Sequence, residues 1–382
     1  RIGDFGSWHP RMKQKQKGDI DYAFLAMALG LILLGIFVLI SAGGPEGTRS
    51  FGDPYYFVKH QVLFGLVPGI AAIVFFSRLS YQWWRDRAWS LLLLSVGLLL
   101  VVFIPGIAAE FGTSRSWITI AGAFSIQPAE IVKLTFLFYL AAWMAERGVR
   151  GVKDISSGLV PFVSVLGAIM FLMILQPDIG TMSIIVVMAL AVYFVAGASW
   201  HHLALLFSGG LSLFLILVLT APYRLARFTA FLHPDQDPLG TGYHVNQALI
   251  AIGSGGIFGR GYGHSLQKFQ YLPEVVSDSI FAVGAEELGV LFGVMLLVLF
   301  GLFFRRGIKI ALATQDAFGR YIVIGVISWI TFQAIVNIGS IMSVWPMTGV
   351  PLPFVSYGGT ALAVTMGAVG VVLNISRQAK IS

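Results

Sequence analysis

The 382-residue sequence contains no cysteine, and only 11% of its residues are charged. The lack of cysteine excludes a disulfide framework, a thiolate metal site and a cysteine nucleophile. Soluble proteins have about 25% charged residues, so the low charge content excludes an ordinary soluble domain. The net charge of +7 would indicate nucleic acid binding only if the basic residues clustered on a soluble domain, and they do not.

Long hydrophobic segments make up most of the chain. Hydrophobic residues account for 57% of it, and the segment 22–45 contains no charged residue. An uncharged hydrophobic run of about 18 residues or more is typical of a membrane-spanning helix. We therefore predict an all-α integral membrane protein with about ten transmembrane helices. The predicted spans are 21–43, 58–77, 88–105, 127–145, 159–176, 180–197, 201–220, 279–303, 320–343 and 357–375.

Lysine and arginine residues are distributed unevenly between the predicted loops. With the N-terminus placed inside, 17 of the 25 basic residues fall on inner segments, where positive charge is retained. We therefore predict that both termini are cytoplasmic. The predicted organisation is a basic N-terminal tail (1–20), one ten-helix membrane domain (21–376) and a C-terminal tail (377–382). A large outer loop (221–278) is predicted between helices 7 and 8.

Polar residues recur in four stretches that this topology brings to the outer side. The stretches are 114–134, 175–181, 223–278 and 345–359. Polar groups at membrane depth are energetically costly, and they occur mainly where they line a cavity or serve a function. The third stretch contains GSGGIFGRG (253–261), which lacks the Gly-Lys-Ser/Thr ending of a phosphate-binding loop. We interpret its glycines as sites of tight turns and close packing.

The chain resembles the SEDS (shape, elongation, division and sporulation) family in five motifs that occur in the family's order. Two further segments, DPYYFVKHQ (53–61) and QKFQYLPE (267–274), are more similar to its FtsW cell-division branch than to its RodA elongation branch. The five motifs are QPAEIVKL (127–134), QPDIGT (176–181), FLHPDQDPLGTGYHVNQALIAIGSGGIFGRG (231–261), YLPEVVSDSIFAVGAEELG (271–289) and PLPFVSYGG (351–359).

The resemblance implies a peptidoglycan glycosyltransferase of the bacterial cytoplasmic membrane. Such an enzyme polymerises lipid II, a lipid-linked disaccharide-pentapeptide, into glycan strands at the outer face. The resemblance further implies location at the division septum, contact with membrane lipids, no nucleic acid, and partnership with a class B penicillin-binding protein (a single-span transpeptidase) and other divisome proteins. Two alternatives stay open, a lipid II flippase and a scaffold for the transpeptidase. The large outer loop favours external chemistry over transport.

Asp278 comes just before the predicted eighth span, and its position supports two interpretations. As a helix N-cap, Ser277 or Asp278 would accept hydrogen bonds from backbone N–H groups. As a general base, the Asp278 carboxylate would accept the proton of a hydroxyl that attacks a sugar's anomeric carbon. The resemblance implies the catalytic role. The chain departs from the family at Val276 and Ser277, where a His-Thr pair is usual, and this removes a partner for proton relay.

Four further charged residues are predicted to lie within or near the spans. Glu286 and Glu287 come about two helical turns after Asp278. We expect Glu287 to have a structural role, with Lys133 or Arg115 as its partner, and the roles of Glu286 and Lys133 stay open. Glu130 and Lys133 are three residues apart on one helix face, so they are also predicted to pair with each other.

The remaining candidates lie in turns and in the outer loop. Asp178 is predicted to cap a helix, with support of the substrate cavity as a second role. Ser356 belongs to a non-helical segment near the site. The loop cations contact either anionic lipid headgroups or a pyrophosphate. No metal-ligand spacing is visible, so no metal site is predicted, and Mg²⁺ or Mn²⁺ stays an open alternative. The loop cations are Arg224, Arg227, Arg260 and Lys268.

Overall fold

The computed structural model describes residues 18–104, 108–111, 114–120, 124–233, 240 and 242–379. These residues form a helical bundle with one small sheet. The helices are α1 (Tyr22–Phe51), α2 (Tyr56–Gln61), α3 (Val67–Arg78), α4 (Gln82–Arg85), α5 (Ala88–Val101), α6 (Pro128–Lys153), α7 (Val160–Leu175), α8 (Ile179–Val195), α9 (Trp200–Leu219), α10 (Pro222–Leu232), α11 (Tyr243–Gly255), α12 (Ile280–Leu288), α13 (Val290–Ala313), α14 (Ala317–Ile341) and α15 (Gly359–Ser376). The π-helical turns Val62–Leu66 and Ile155–Leu159 lead into α3 and α7.

The helices confirm the predicted class of an α-helical, multi-pass membrane protein. In the described part of the chain, eight helical segments are long and apolar enough to cross a membrane, and the shorter helices α5 and α8 are also apolar. Each of the ten predicted spans overlaps one of these segments. The count of ten stays a prediction, because α5 and α8 have only 14 and 17 residues. The predicted outer loop contains α10 and α11, and most of the predicted N-terminal tail lies outside the described residues.

Three helices form the centre of the bundle. In α6, α14 and α15 the most apolar windows are 89%, 72% and 78% buried, against 17% for α9. Lipid tails are as apolar as leucine, so the outer helices can leave leucine and phenylalanine side chains uncovered by protein. Five of the buried polar residues described below lie on these central helices, where such groups can find partners within the protein: Glu130, Lys133, Gln333, Asn337 and Asn374.

A three-stranded antiparallel sheet precedes α6, and the sequence interpretation did not predict it. Strand β2 (Ser114–Ile120) lies between β1 (Ala108–Phe111) and β3 (Phe124–Ile126), and Ile118 pairs with Ala108 on one side and Ile126 on the other. The strands are short and lie between long hydrophobic runs, so hydropathy alone gives no signal for them. Gln127 stays extended before Pro128, which occupies the first turn of α6.

The predicted continuous eighth span (279–303) is wrong, because the chain breaks into α12 and α13 at Gly289. Gly289 has φ 76° and ψ −170°, a conformation restricted almost entirely to glycine. The backbone N–H groups of Arg260 and Gly261 donate to the carbonyls of Glu286 and Glu287 (both 3.0 Å), so the glycine-rich segment satisfies carbonyls at the end of α12.

The close approach at this break confirms the packing role predicted for the glycines. A Cβ added at Gly259 would lie 2.1 Å from the carbonyl oxygen of Glu287, and one at Gly289 would lie 2.3 Å from that of Ile257. Neither space accepts a side chain. The glycine-rich segment is therefore pressed against the break, and α12 is held apart from α13 as a short, separately positioned helix.

We predict that Gly289→Ala destabilises the protein, whereas Gly301→Ala in α13 does not. Alanine at position 289 would have to adopt a backbone conformation with positive φ, which costs about 1–3 kcal/mol. Its Cβ would also clash with the Ile257 carbonyl. Gly301 has no atom within 4 Å of an added Cβ, and alanine favours the helix. Thermal unfolding in detergent measures both. Equal melting temperatures for the two variants would contradict this account of the break.

Candidate active site

The first and second polar stretches meet at one end of the helix bundle. Ser116 of β2 donates a hydrogen bond from Oγ to the carbonyl of Gln176 (3.3 Å). Next to this contact, Gln127 Nε2 donates to Asp178 Oδ2 (3.2 Å). The sheet and the turn between α7 and α8 therefore form one side of a common site.

The third and fourth stretches are joined by hydrogen bonds at the turn that ends at Asp278. The backbone N–H of Tyr357 donates to the carbonyl of Val276 (2.8 Å). Ser356 Oγ donates to the carbonyl of Ser277 (2.5 Å). The non-helical chain that precedes α15 is thereby fastened to this turn, and Ser356 has a structural contact within the site.

Two buried amides on α14 hold the backbone of this turn and of the non-helical chain beside it. Asn337 Nδ2 donates to the carbonyls of Asp278 and Val350, both at 2.8 Å. One helical turn earlier, Gln333 Nε2 donates to the carbonyl of Pro351 (2.8 Å). A buried carbonyl without a donor costs about 1–3 kcal/mol. These amides therefore fix the Asp278 turn and the non-helical chain relative to each other.

The Asp278 side chain is half-buried and lies beside a second carboxylate. Ser277 Oγ is 3.3 Å from Asp278 Oδ1 and 2.7 Å from Glu274 Oε2, so its single proton can bond to one carboxylate at a time. Glu274 is exposed and has φ 52°, a left-handed conformation that is uncommon outside glycine. Gly349 borders the other side of Asp278, since a Cβ there would lie 3.8 Å from Oδ2.

The helix α12 begins too late in the chain for Ser277 or Asp278 to be its N-cap, so the capping interpretation is wrong. Ser279 occupies the N-cap position, and its side chain makes no capping hydrogen bond. Its Oγ instead lies 2.6 Å from Nε2 of His244 on α11. A histidine from the outer loop therefore contacts the residue next to Asp278, although the chain lacks the histidine that the family usually has at Val276.

Asp178 caps α8, as predicted. Its Oδ1 accepts a hydrogen bond from the backbone N–H of Thr181 (3.0 Å). Burial raises the pKa of Asp178, and the hydrogen bonds from Thr181 act in the opposite direction. Gly180, the next residue but one, approaches the non-helical chain, because a Cβ there would lie 2.9 Å from the carbonyl oxygen of Thr348. The capped end of α8 thus adjoins the chain that borders Asp278.

Glu130 and Lys133 pair with each other inside the bundle, as their spacing predicts. Lys133 Nζ lies 2.8 Å from Glu130 Oε2, and both side chains are almost completely buried. The ammonium also donates to Gln333 Oε1 (2.8 Å) and lies 4.7 Å from the centre of the Trp329 ring. Because Gln333 also bonds to Pro351, this pair is connected to the site through α14.

The structure gives Glu286 and Glu287 partners that the sequence interpretation did not name. The expected pairing of Glu287 with Lys133 does not occur: Glu287 Oε1 accepts from Lys268 Nζ (2.7 Å) and from Ser41 Oγ (2.6 Å). Glu286 Oε2 accepts from Ser265 Oγ (2.5 Å), and its two oxygens also accept from two backbone N–H groups. We name these residues (Ser41, Ser265, Lys268, Glu286, Glu287) the acidic cluster.

Lys268 is buried rather than solvated on the outer surface, which corrects one of its two interpretations. Its ammonium donates to Ser41 Oγ, the Gly263 carbonyl and Glu287, all within 2.8 Å. The acidic cluster therefore ties α1, the outer loop and α12 together. An ionised pair at this depth is stable only when partners surround it.

The other two loop cations whose side chains are described make different contacts. Arg224 on α10 donates to the carbonyl of Leu217 near the end of α9 (3.1 Å), and Arg260 lies 3.8 Å from Glu286. The side chains of Arg115 and Arg227 lie outside the described part of the structure. Within the described residues, no group of three or more His, Asp or Glu side chains could hold a metal ion.

Three contributors to this site were missed in the sequence. Asn337 and Gln333 are four residues apart in a mostly apolar helix, and this spacing was the available signal. Two amides on one face of a membrane helix must find partners within the protein. His244 gave no local signal, because its contact with Ser279 joins residues 35 positions apart.

A helical bundle with eight long apolar helices among the described residues, and with a half-buried aspartate beside the polar stretches, defines a polytopic membrane protein, and its sequence matches the FtsW/RodA/SpoVE family. The profile of this family, described as "Cell cycle protein", matches residues 22–381. The chain belongs to this family. The SEDS resemblance is thereby confirmed.

The curated relatives include Stage V sporulation protein E of Bacillus subtilis, which is 41% identical over 96% of this chain and 99% of its own length. A protein of Geobacter metallireducens named as a probable peptidoglycan glycosyltransferase FtsW is 34% identical over 97% of this chain and 98% of its own length. The relatives thus carry the names of both the sporulation and the division proteins.

Solved structures share the fold over about 95% of this chain. A chain from a peptidoglycan synthase complex that coordinates polymerization and crosslinking superposes with a TM-score of 0.76 at 28% identity, covering 94% of this chain and 98% of that one. Rod shape determining protein RodA of Thermus thermophilus superposes with a TM-score of 0.69 at 26% identity, with coverages of 95% and 98%.

Proposed function

We propose that the chain is a peptidoglycan glycosyltransferase that polymerises lipid II at the outer face of the cytoplasmic membrane. Its relatives' names give the reaction class. The single observation that carries the proposal is the half-buried Asp278 carboxylate, held on a backbone that Asn337 and the non-helical chain fix in position. A general base has to be held in this way to meet a hydroxyl at a defined distance.

In the proposed reaction, Asp278 accepts the proton of the acceptor hydroxyl. At the same time, the oxygen of that hydroxyl attacks the anomeric carbon of the donor sugar. The new carbon–oxygen bond forms as the bond from that carbon to the pyrophosphate oxygen breaks. The pyrophosphate leaves with the bonding electron pair, and Asp278 later returns its proton to water. One carbon–oxygen bond replaces another and no atom changes its oxidation state, so no redox partner is required.

Cations are needed where negative charge develops on the leaving pyrophosphate. We propose Arg224 for this role, because a guanidinium donates two parallel hydrogen bonds to a phosphate. On the basis of the sequence, Arg115 and Arg227 remain further candidates for contact with the pyrophosphate. Lys268 supports the site through the acidic cluster, since its three donor bonds go to protein acceptors. Mg²⁺ or Mn²⁺ stays an alternative counter-charge, and no step above depends on it.

The supporting residues hold the helices and loops of the site in place, and they do not act on the reacting atoms. Glu130 and Lys133 brace α14 through Gln333, and Asp178 caps the helix that adjoins the non-helical chain. Glu286 anchors the outer loop against α12, with the Ser265 hydroxyl as one partner. We assign these residues to the shape of the site, and Asp278 to the chemistry.

The proposed cellular role is cell-wall synthesis at the division septum, together with a class B penicillin-binding protein and other divisome proteins. The structural neighbour from a synthase complex supports such a partner. The division role rests on the FtsW-like segments 53–61 and 267–274, and the sporulation relative is the alternative. Complementation separates the two roles: we expect the chain to restore septation in cells that lack FtsW, and rescue of sporulation alone would contradict the division role.

We predict that Asp278→Asn abolishes polymerisation while leaving the fold intact. Loss of a general base typically lowers the rate by about 10²–10⁴. Glu274→Gln is the matched control, because it removes the neighbouring carboxylate that contacts the same Ser277 hydroxyl. The measurement is glycan strand length and yield from lipid II without nucleotide, for purified protein with its transpeptidase partner, alongside the melting temperature.

Two outcomes would overturn parts of this proposal. Near-normal polymerisation by Asp278→Asn would remove Asp278 from the chemistry. Movement of labelled lipid II between leaflets by the wild type, with no strand formed under any partner condition, would assign the chain to transport instead. Glu274→Gln is expected to polymerise at close to the wild-type rate.

We also predict that both termini are cytoplasmic, from the distribution of basic residues. Because the chain has no cysteine, a single introduced cysteine reports its side of the membrane without background. His264 in the outer loop and Gln315 between α13 and α14 are both exposed. His264→Cys should react in intact cells with a membrane-impermeant maleimide, and Gln315→Cys should react only after lysis. The reverse pattern would invert the topology.

A further inference from the structure

A groove opens between α1 and α13 at the end of the bundle opposite the candidate active site. Its volume is about 200 Å³, and it is lined by Ala23, Met27, Leu302, Arg305, Arg306 and Lys309. Asp21 and Ser41 are 20 residues apart along α1, which corresponds to about 30 Å of helix. Since Ser41 belongs to the acidic cluster next to the site, the groove is about one membrane thickness away from it.

Only one of the three cations of the groove is neutralised. Arg306 Nε lies 2.8 Å from Asp21 Oδ2, and that carboxylate also caps α1 by accepting from the backbone N–H of Phe24. Among the described residues, the side chains of Arg305 and Lys309 make no hydrogen bond and no ion pair, and both residues are exposed. Within the described residues, the rim of the groove therefore has two positive charges without an ionic partner.

Both walls of the groove change from apolar to charged in the same direction. On α13 the apolar Leu302 is followed by Arg305 and, one turn later, by Lys309, so the charges begin about 5 Å beyond the apolar wall. On α1, Met27 lies one turn deeper than Ala23, which in turn lies just inside Asp21. An occupant that matches this order has an apolar chain and an anionic end.

We propose that this groove binds one anionic phospholipid, with its phosphate between Arg305 and Lys309 and an acyl chain along Met27 and Leu302. Basic pockets between membrane helices at the level of the headgroups bind lipids of this kind. A soluble anion would satisfy the two cations but would leave the apolar wall uncovered. A bound lipid would bridge α1 to α13 where the Asp21–Arg306 ion pair already joins them.

The test compares lipid retention by purified protein variants in detergent. Native mass spectrometry with added phosphatidylglycerol, and with phosphatidylcholine of the same acyl chains, gives an apparent Kd for each lipid. The wild type should retain phosphatidylglycerol preferentially. Arg305→Gln/Lys309→Gln should weaken that binding about 25-fold, because each cation near the headgroups contributes about fivefold. Arg150→Gln/Lys153→Gln is the matched control, since it removes two exposed cations outside the groove and should bind as the wild type does.

A second variant tests the apolar wall of the groove independently of its two cations. Leu302→Trp fills the apolar wall and keeps both cations, so it should also lose phosphatidylglycerol. Melting temperatures for all variants confirm that the proteins compared are folded. The proposal is overturned if phosphatidylcholine binds as well as phosphatidylglycerol, if the control pair loses as much affinity as Arg305→Gln/Lys309→Gln, or if Leu302→Trp binds phosphatidylglycerol as tightly as the wild type.

Discussion

A single buried amide, that of Asn337, carries the connection between the membrane core and the candidate catalytic carboxylate. Its two N–H donors bond to the carbonyls of Asp278 and Val350, which belong to chain segments 72 residues apart. Neither segment is helical at that point, so neither can satisfy its own carbonyls. One side chain thereby fixes the turn that carries Asp278 and the chain that borders it on the far side.

The same requirement explains where the other buried polar groups lie. Lys133 is surrounded by Glu130, Gln333 and the Trp329 ring, and Lys268 by three oxygen acceptors. In each case a charge that would be costly in lipid is balanced inside the protein. The two networks connect to different parts of the site. One reaches the non-helical chain through Gln333, and the other anchors the outer loop and α12 at the break that Gly289 permits.

The parts of this architecture that depend on local sequence could be predicted. Hydrophobic runs marked the spans, the Asp-Ile-Gly turn marked the cap by Asp178, and the three-residue spacing marked the Glu130–Lys133 pair. Contacts between distant residues could not be predicted in this way. Lys133 or Arg115 was expected to pair with Glu287 because all three are charged residues in or near the spans, but the partner Lys268 comes from a loop whose path no local pattern specifies. The break at Gly289 was missed because hydropathy does not register a conformation that only glycine tolerates.

The most direct test of the account compares Asn337→Leu with Asn374→Leu. Asn374 is also a buried amide, and it donates to the Ser77 carbonyl (2.8 Å) on α3 rather than near the site. Asn337→Leu removes the donor to two backbone carbonyls, and Asn374→Leu removes the donor to one carbonyl and the acceptor of the Tyr81 N–H (3.2 Å). Both changes should therefore lower the melting temperature. If the Asn337 amide positions Asp278, then lipid II polymerisation per folded molecule should fall at least about tenfold more in Asn337→Leu than in Asn374→Leu, since a displaced general base loses much of its effect. Equal polymerisation by the two variants would contradict the account.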